Sequence, residues 1–109
     1  MSRIRVIPVL LVDKRRLIKG AQFKKHKYIG DTLNAIKIFN DKEVDELILL
    51  DITASDQHRE PDYQFLHEVS SEAFFPLAYG GGITSVKQVE QLMRLGVEKV
   101  VFGTAAFLN

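Results

Sequence analysis

Cysteine is missing from this 109-residue chain, which excludes disulfides, thiolate metal sites and a cysteine nucleophile and fits a reducing cytoplasm. Neither sign of charge dominates. The 15 Lys and Arg against 14 Asp and Glu leave a net charge of +1, so nothing electrostatic calls for a nucleic-acid partner or an anionic membrane surface. Long hydrophobic runs are absent too: the apolar residues 6–12 are interrupted by Pro8 and followed by Asp13-Lys14-Arg15-Arg16. That is far short of the roughly 20 residues that cross a bilayer, and no signal peptide is evident. His26, His58 and His67 fall on a loop and at helix starts without metal-ligand spacing, so they read as solvated side chains, and neither a metal nor a cofactor is expected.

What is present is the composition of an ordinary folded unit, 46% hydrophobic and 27% charged. Residues 3–12 (RIRVIPVLLV) are nearly continuous in apolar and β-branched side chains, the pattern of a strand covered on both faces. Residues 13–31 are polar, carry Lys19-Gly20 and the cluster Lys24-Lys25-His26-Lys27, and form a long connection that is either a functional loop or a solvated surface loop. Asp31 suits the cap of a helix over 32–42, where Leu33, Ile36, Ile38 and Phe39 follow helical spacing. A second buried strand, 46–52, closes on Asp51 and runs into the turn and capping residues Thr53-Ala54-Ser55-Asp56. Pro61 suits the first turn of a helix reaching Ser71, with Tyr63, Phe65, Leu66 and Val69 as its apolar stripe. A third strand, 74–79, ends on Gly80-Gly81-Gly82; Thr84 or Ser85 caps a helix to about Leu95, ended by Gly96; and a fourth strand, 99–102, leads into Gly103-Thr104-Ala105-Ala106.

Buried-type strands alternating with helices predict an α/β fold with a parallel sheet, since parallel strands need helical crossovers and each connection here is long enough for one. A faint echo of residues 43–48 (EVDELI) in 96–101 (GVEKVV) fits repetition of one βα module. In such folds ligands bind at the carboxyl ends of strands. The glycine triplet is either a plain tight turn or a phosphate cradle, since backbone without Cβ atoms ahead of a capped helix can hold an anion. Thr104 could add a hydroxyl and Lys19 a charge to the same anion. Asp51 is either the cap of its own turn or a substrate contact. At the opposite end, Arg5, Glu46 and Lys99 stand at the starts of three strands, as a ring of charge or as ordinary snorkelling surface residues.

Taken in order, the strand and loop RIRVIPVL…LIKG…F…GD, the segment DELILLDITAS, the run PLAYGGGI and the closing VEKVVFGTAA resemble the cyclase subunit of imidazole glycerol phosphate synthase. The resemblance covers essentially the whole chain. It implies a (β/α)₈ TIM barrel, of which the chain supplies the N-terminal half with about four βα units, residues 1–109 lying in one domain. It also implies a lyase-type synthase of histidine biosynthesis that takes ammonia from a glutaminase (glutamine amidotransferase) partner and delivers it through the barrel to a phosphorylated small-molecule substrate. Carried over by motif, Lys19, Gly81, Gly82, Thr104 and Ala105 hold a substrate phosphate, Asp51 lies near the substrate, and Arg5, Glu46 and Lys99 form the ammonia gate. Asp45 and Glu98 fall on the partner face.

One position departs from the family. Leu11 stands where the family has a catalytic aspartate, so no catalytic residue is secure, and Asp13 lies on the same side of the strand about two residue rises further out. Gly103 likewise replaces an asparagine before Thr104. The resemblance therefore extends to a diverged branch that pairs with an amidotransferase in surface-polysaccharide biosynthesis, where a sugar gains an amidino group. A noncatalytic partner-binding module is the reading from another class. Four strands of an eight-stranded barrel leave two open edges, at the first and fourth strands, so the chain is expected to pair there with another copy or with a C-terminal half.

Overall fold

The computed structural model describes residues 4–19, 27–56 and 59–102. The elements are β1 (Val9–Asp13), β2 (Arg16–Lys19), β3 (Lys27–Asp31), α1 (Thr32–Asp41), β4 (Leu47–Asp51), α2 (Ile52–Asp56), α3 (Tyr63–Glu72), β5 (Leu77–Gly80), α4 (Val86–Arg94) and β6 (Lys99–Val101). They form one six-stranded sheet in the order β3-β2-β1-β4-β5-β6. The pairings β1 with β4, β4 with β5 and β5 with β6 are parallel, as the alternation of strands and helices predicts.

Strand alternation divides the side chains between two faces. Leu10, Val12, Leu47, Leu49, Leu77 and Tyr79 pack beneath the helices with Ile36, Phe65, Leu66, Val69 and Leu92 as the core. The other face carries Val9, Leu11, Ile48, Leu50, Ala78 and Gly80, and here Val9 is 53% exposed. A sheet apolar on both faces is the mark of a layer meant to be covered twice.

Several expectations need correction. Residues 13–31 are not a plain loop: β2 and β3 form an antiparallel hairpin hung on the end of β1, with residues 20–26 outside the described set. The hairpin leaves β1 through Lys14 and Arg15, both at positive φ (49° and 71°), a two-residue turn whose twist matches the strands it joins. Its charged residues hid it, because neither Asn-Gly nor Asp-Gly marks the turn. In consequence β1 is not an open edge at its C-terminal end, where Val12 and Asp13 pair with Leu17 and Arg16.

The first and third strands are also shorter than their apolar runs. Residues 4–8 lie outside β1, although Val6 and Pro8 still accept bonds from Asp45 N (3.0 Å) and Ile48 N (2.9 Å). Proline explains part of this: Pro8 and Pro76 have no N–H for a ladder, and β5 begins just after Pro76. Finally, 53–56 fold as the short helix α2 rather than a turn, and Pro61 precedes the cap of α3 instead of sitting in its first turn.

Helix caps follow the sequence signals closely. Asp31 Oδ2 accepts from Asn34 N, Asp62 Oδ1 from Phe65 N, and Ser85 with Gln88 closes a capping box at α4. Asp62 does more than cap. Arg15 Nε and Nη2 donate to its two carboxylate oxygens at 2.7 and 3.0 Å, and the guanidinium lies 5.5 Å from the centre of the Phe65 ring. The hairpin turn is thereby tied to the start of α3.

The Arg15 hydrogen bonds, aided by the Phe65 amide, hold the Asp62 carboxyl below its ordinary range against the opposing effect of partial burial. A carboxyl depressed in the folded state contributes stability that is complete above its unfolded pKa of about 4 and is lost as pH falls through the folded value. Asp62→Ala should therefore destabilise by about 0.5–2 kcal/mol near neutrality. In urea unfolding, the gap from the unsubstituted protein should close as the pH drops below about 4.

Candidate functional site

The C-terminal ends of β1, β4 and β5 converge on a polar cluster. Val12 is paired with Asp51, and Leu50 with Gly80, so the residues that follow in each strand, Asp13, Asp51 and the Gly81-Gly82 turn, reach the same rim. Asp51 is buried, and its Oδ1 accepts from the amides of Thr53 (3.2 Å) and Ala54 (3.1 Å), so it caps α2 from the strand end. The capping alternative for Asp51 is thus realised.

Thr53 is the hub of the cluster. Its hydroxyl donates to Asp13 Oδ1 at 2.8 Å and stands 3.1 Å from Asp51 Oδ1. A hydroxyl has one proton, so the shorter contact takes it. Arg59 Nη2 donates to the same Oγ1 at 2.5 Å and lies 3.6 Å from Asp51 Oδ1. Two buried carboxylates, Asp13 and Asp51, are held around one threonine and one guanidinium. The positive charge offsets the cost of placing two anions together out of water.

The glycine turn packs directly on this cluster. Gly81 has φ +134°, and a Cβ there would lie 2.5 Å from Asp51 O. Gly82 has φ +68°, and its Cβ would run into the Arg59 carbonyl oxygen. Both conformation and space therefore demand glycine, whether or not a ligand is bound. Tyr79, just before the turn, is 2% exposed; burial, with the nearby Asp51 charge, raises its phenol well above the usual range. Its hydroxyl has no hydrogen-bond partner among the described residues.

At the other end of the strands, Lys99 Nζ bonds Glu46 Oε1 at 2.5 Å across 53 residues of sequence, with Glu46 buried and Lys99 largely exposed. Lys99 sits opposite Ala78, so this pair lies on the face of Val9, Leu11, Leu50 and Gly80, at the end opposite the glycine turn. Arg5 is exposed, and no ion pair among the described residues joins it to Glu46 or Lys99. Asp45 Oδ2 accepts from Val6 N at 2.7 Å, and Glu98 N donates to Leu77 O at 2.9 Å, which sets both acids at this same end. Lys19 pairs through its backbone with Lys27. The Lys19 side chain, Gly103, Thr104 and Ala105 lie outside the described residues, as do His26 and His58.

The sequence reading missed Arg59, the Thr53 hub and the Arg15–Asp62 pair. Each depends on contacts across loops that carry no periodicity, and only the capping spacing of Asp62 ahead of Phe65 could have flagged one of them. Among the described residues there is no group of three or more His, Cys, Asp or Glu that could hold a metal, and no helix is long and apolar enough to cross a membrane.

A family model described as "Histidine biosynthesis protein" matches residues 5–109. The chain is 54% identical over 109 residues to Pseudomonas aeruginosa hisF2, named for a subunit of imidazole glycerol phosphate synthase, covering all of this chain and 43% of that one. It is 44% identical over 109 residues to the Leptospira interrogans protein named for the same subunit (all of this chain, 43% of the relative). To the imidazole glycerol phosphate synthase subunit HisF of Streptomyces coelicolor it is 40% identical over 103 residues, covering 94% of this chain and 41% of the relative. The chain thus spans about two fifths of the length of the relatives it matches, and its α/β, mainly parallel sheet corresponds to the N-terminal half of a HisF-type (β/α)₈ barrel.

If Thr53 is the hub, Thr53→Val should leave Asp13 and Arg59 short of a buried partner, with a loss of about 1–3 kcal/mol in thermal or urea unfolding. Thr53→Ser, which keeps the hydroxyl, should lose clearly less.

Proposed function

Because the chain belongs to the histidine biosynthesis protein family, matched over residues 5–109, we propose that it is the N-terminal half of a single (β/α)₈ domain whose complete form is an ammonia-using synthase of the imidazole glycerol phosphate type. In this reading a substrate phosphate rests against the Gly81-Gly82 backbone, with Lys19, Thr104 and Ala105 adding charge, hydroxyl and amide, and Asp51 borders the substrate. Ammonia comes from a glutaminase partner docked near Asp45 and Glu98 and enters past Arg5, Glu46 and Lys99. A cytoplasmic setting accords with the lack of cysteine.

The observation that carries the reading is the layout of the inner sheet face. An ion pair, Lys99–Glu46, stands at one end and the glycine turn at the other, with Val9, Ile48, Ala78, Leu11 and Leu50 between them. An apolar passage admits neutral ammonia and disfavours ammonium, for which desolvation in such surroundings is costly. A charged pair at the entrance and an anion cradle at the exit are what a synthase fed with ammonia from below requires.

Leu11 favours a second reading, the diverged branch that amidates a sugar. It is half-buried on this inner face, pairs with Leu50, and cannot transfer a proton. The two readings separate in the full-length protein supplied with the phosphorylated cyclase substrate and an ammonium salt, without glutaminase. Formation of imidazole glycerol phosphate is expected, and Leu11→Asp should raise its rate. No product from either form would overturn the cyclase reading in favour of the sugar-amidating one.

A further inference from the structure

The Tyr79 side chain is 2% exposed, and its hydroxyl has no hydrogen-bond partner among the described residues. A buried donor in that position loses the hydrogen bonds it makes in water, so its surroundings decide what it can bind. Tyr79 stands on the helix side of β5, level with Leu49, and Asp51 follows one layer nearer the rim on the same side. A Cβ on Gly81 would lie 3.0 Å from Asp51 Cβ and 3.1 Å from the Tyr79 hydroxyl, so the hydroxyl sits beside Asp51 at the glycine turn. A cavity of about 20 Å³ lies here between the sheet and the start of α3, with Tyr79, Asp51, Arg59, Asp62, Arg15 and Lys14 on its polar side.

Size and charge define its occupant. One water needs roughly 10–15 Å³ and two to four polar partners, so this cavity of about 20 Å³ holds one and is too small for a phosphate. Its charges are matched in pairs: Arg15 donates to both oxygens of Asp62 at 2.7 and 3.0 Å, and Arg59 lies 3.6 Å from Asp51 Oδ1. Lys14 is exposed to solvent. Little charge is left to call for an ion, and a neutral molecule fits. Acceptors are available, because Asp51 takes the amides of Thr53 and Ala54 on Oδ1, and a carboxylate offers about four lone-pair sites over its two oxygens. Burial, with the Asp51 charge nearby, keeps the phenol protonated, so it enters as a donor.

We propose that one ordered water occupies this cavity, accepting from the Tyr79 hydroxyl and donating to the Asp51 and Asp62 carboxylates. The bridge joins the end of β5 to the cap of α2 and to the Arg15–Asp62 pair that fastens the hairpin. Tyr79 thereby ties the glycine turn to the hairpin through solvent, and the site stands whatever the complete protein synthesises.

The full-length protein tests this in two ways. A high-resolution crystal structure, with bromide as the salt, should show one water about 2.5–3.0 Å from Tyr79 Oη and within hydrogen-bond reach of both carboxylates, and no anomalous bromide signal in the cavity. In urea unfolding, Tyr79→Phe should lower the folding equilibrium constant by about two- to tenfold, because the hydroxyl removed was hydrogen-bonded. A phenol without a partner gives the opposite sign, since the substitution then removes only an unpaired polar group. Bromide or no water in the cavity, a Tyr79 hydroxyl bonded directly to another protein group, or a Tyr79→Phe protein at least as stable as the unsubstituted one would overturn the proposal.

Discussion

Parallel pairing in register is the constraint on which the rest depends. Once Val12 lies beside Asp51, and Leu50 beside Gly80, every inward side chain of β1, β4 and β5 falls into layers shared across the sheet. A slip of one residue in β4 would exchange the core face for the inner face and carry Thr53 away from Asp13. Register is held because Leu47 and Leu49 have no exposure to lose on the helix side, so any shift would exchange packed leucines for Ile48 and Leu50. The rim cluster and the Lys99–Glu46 pair are thus two ends of one ruler.

The cluster in turn makes the glycine turn more than a flexible link. Asp51 supplies the backbone oxygen that Gly81 crowds, and Arg59 supplies the one that Gly82 crowds. Arg59 is fixed by Thr53 and Asp51, and Thr53 by Asp13. Charge at two strand ends, with Arg59 from the connection between α2 and α3, is therefore coupled to the shape of a turn. The Arg15–Asp62 pair extends the same logic outward by fastening the β2–β3 hairpin, which carries Lys19, to the helix that follows Arg59.

Much of this was legible in the residues themselves. Apolar runs closing on Asp51 and on the glycine triplet located two strand ends, and the spacing of Asp31 and Ser85 ahead of their helices located two caps. The charged starts of β4 and β6 were visible as Glu46 and Lys99, although only the folded sheet joins them, and Arg5 stays outside that pair. The hairpin was not legible, because Lys14 and Arg15 adopt positive φ without glycine or asparagine to announce it, and the turn is held by the distant Asp62. Nor was the burial of Asp13, which a strand pattern alone leaves at a polar boundary; it follows from Thr53 arriving 40 residues later.

The central claim is that one face of this sheet runs from a charged entrance to an anion cradle inside a closed barrel. A crystal structure of the full-length protein with inorganic phosphate tests it most directly. The account predicts phosphate against the Gly81-Gly82 backbone, with Lys19 and Thr104 converging on it and the Lys99–Glu46 pair at the far mouth of an eight-stranded barrel. Phosphate bound elsewhere, or Gly82 and Thr104 at opposite ends of the sheet, would contradict it.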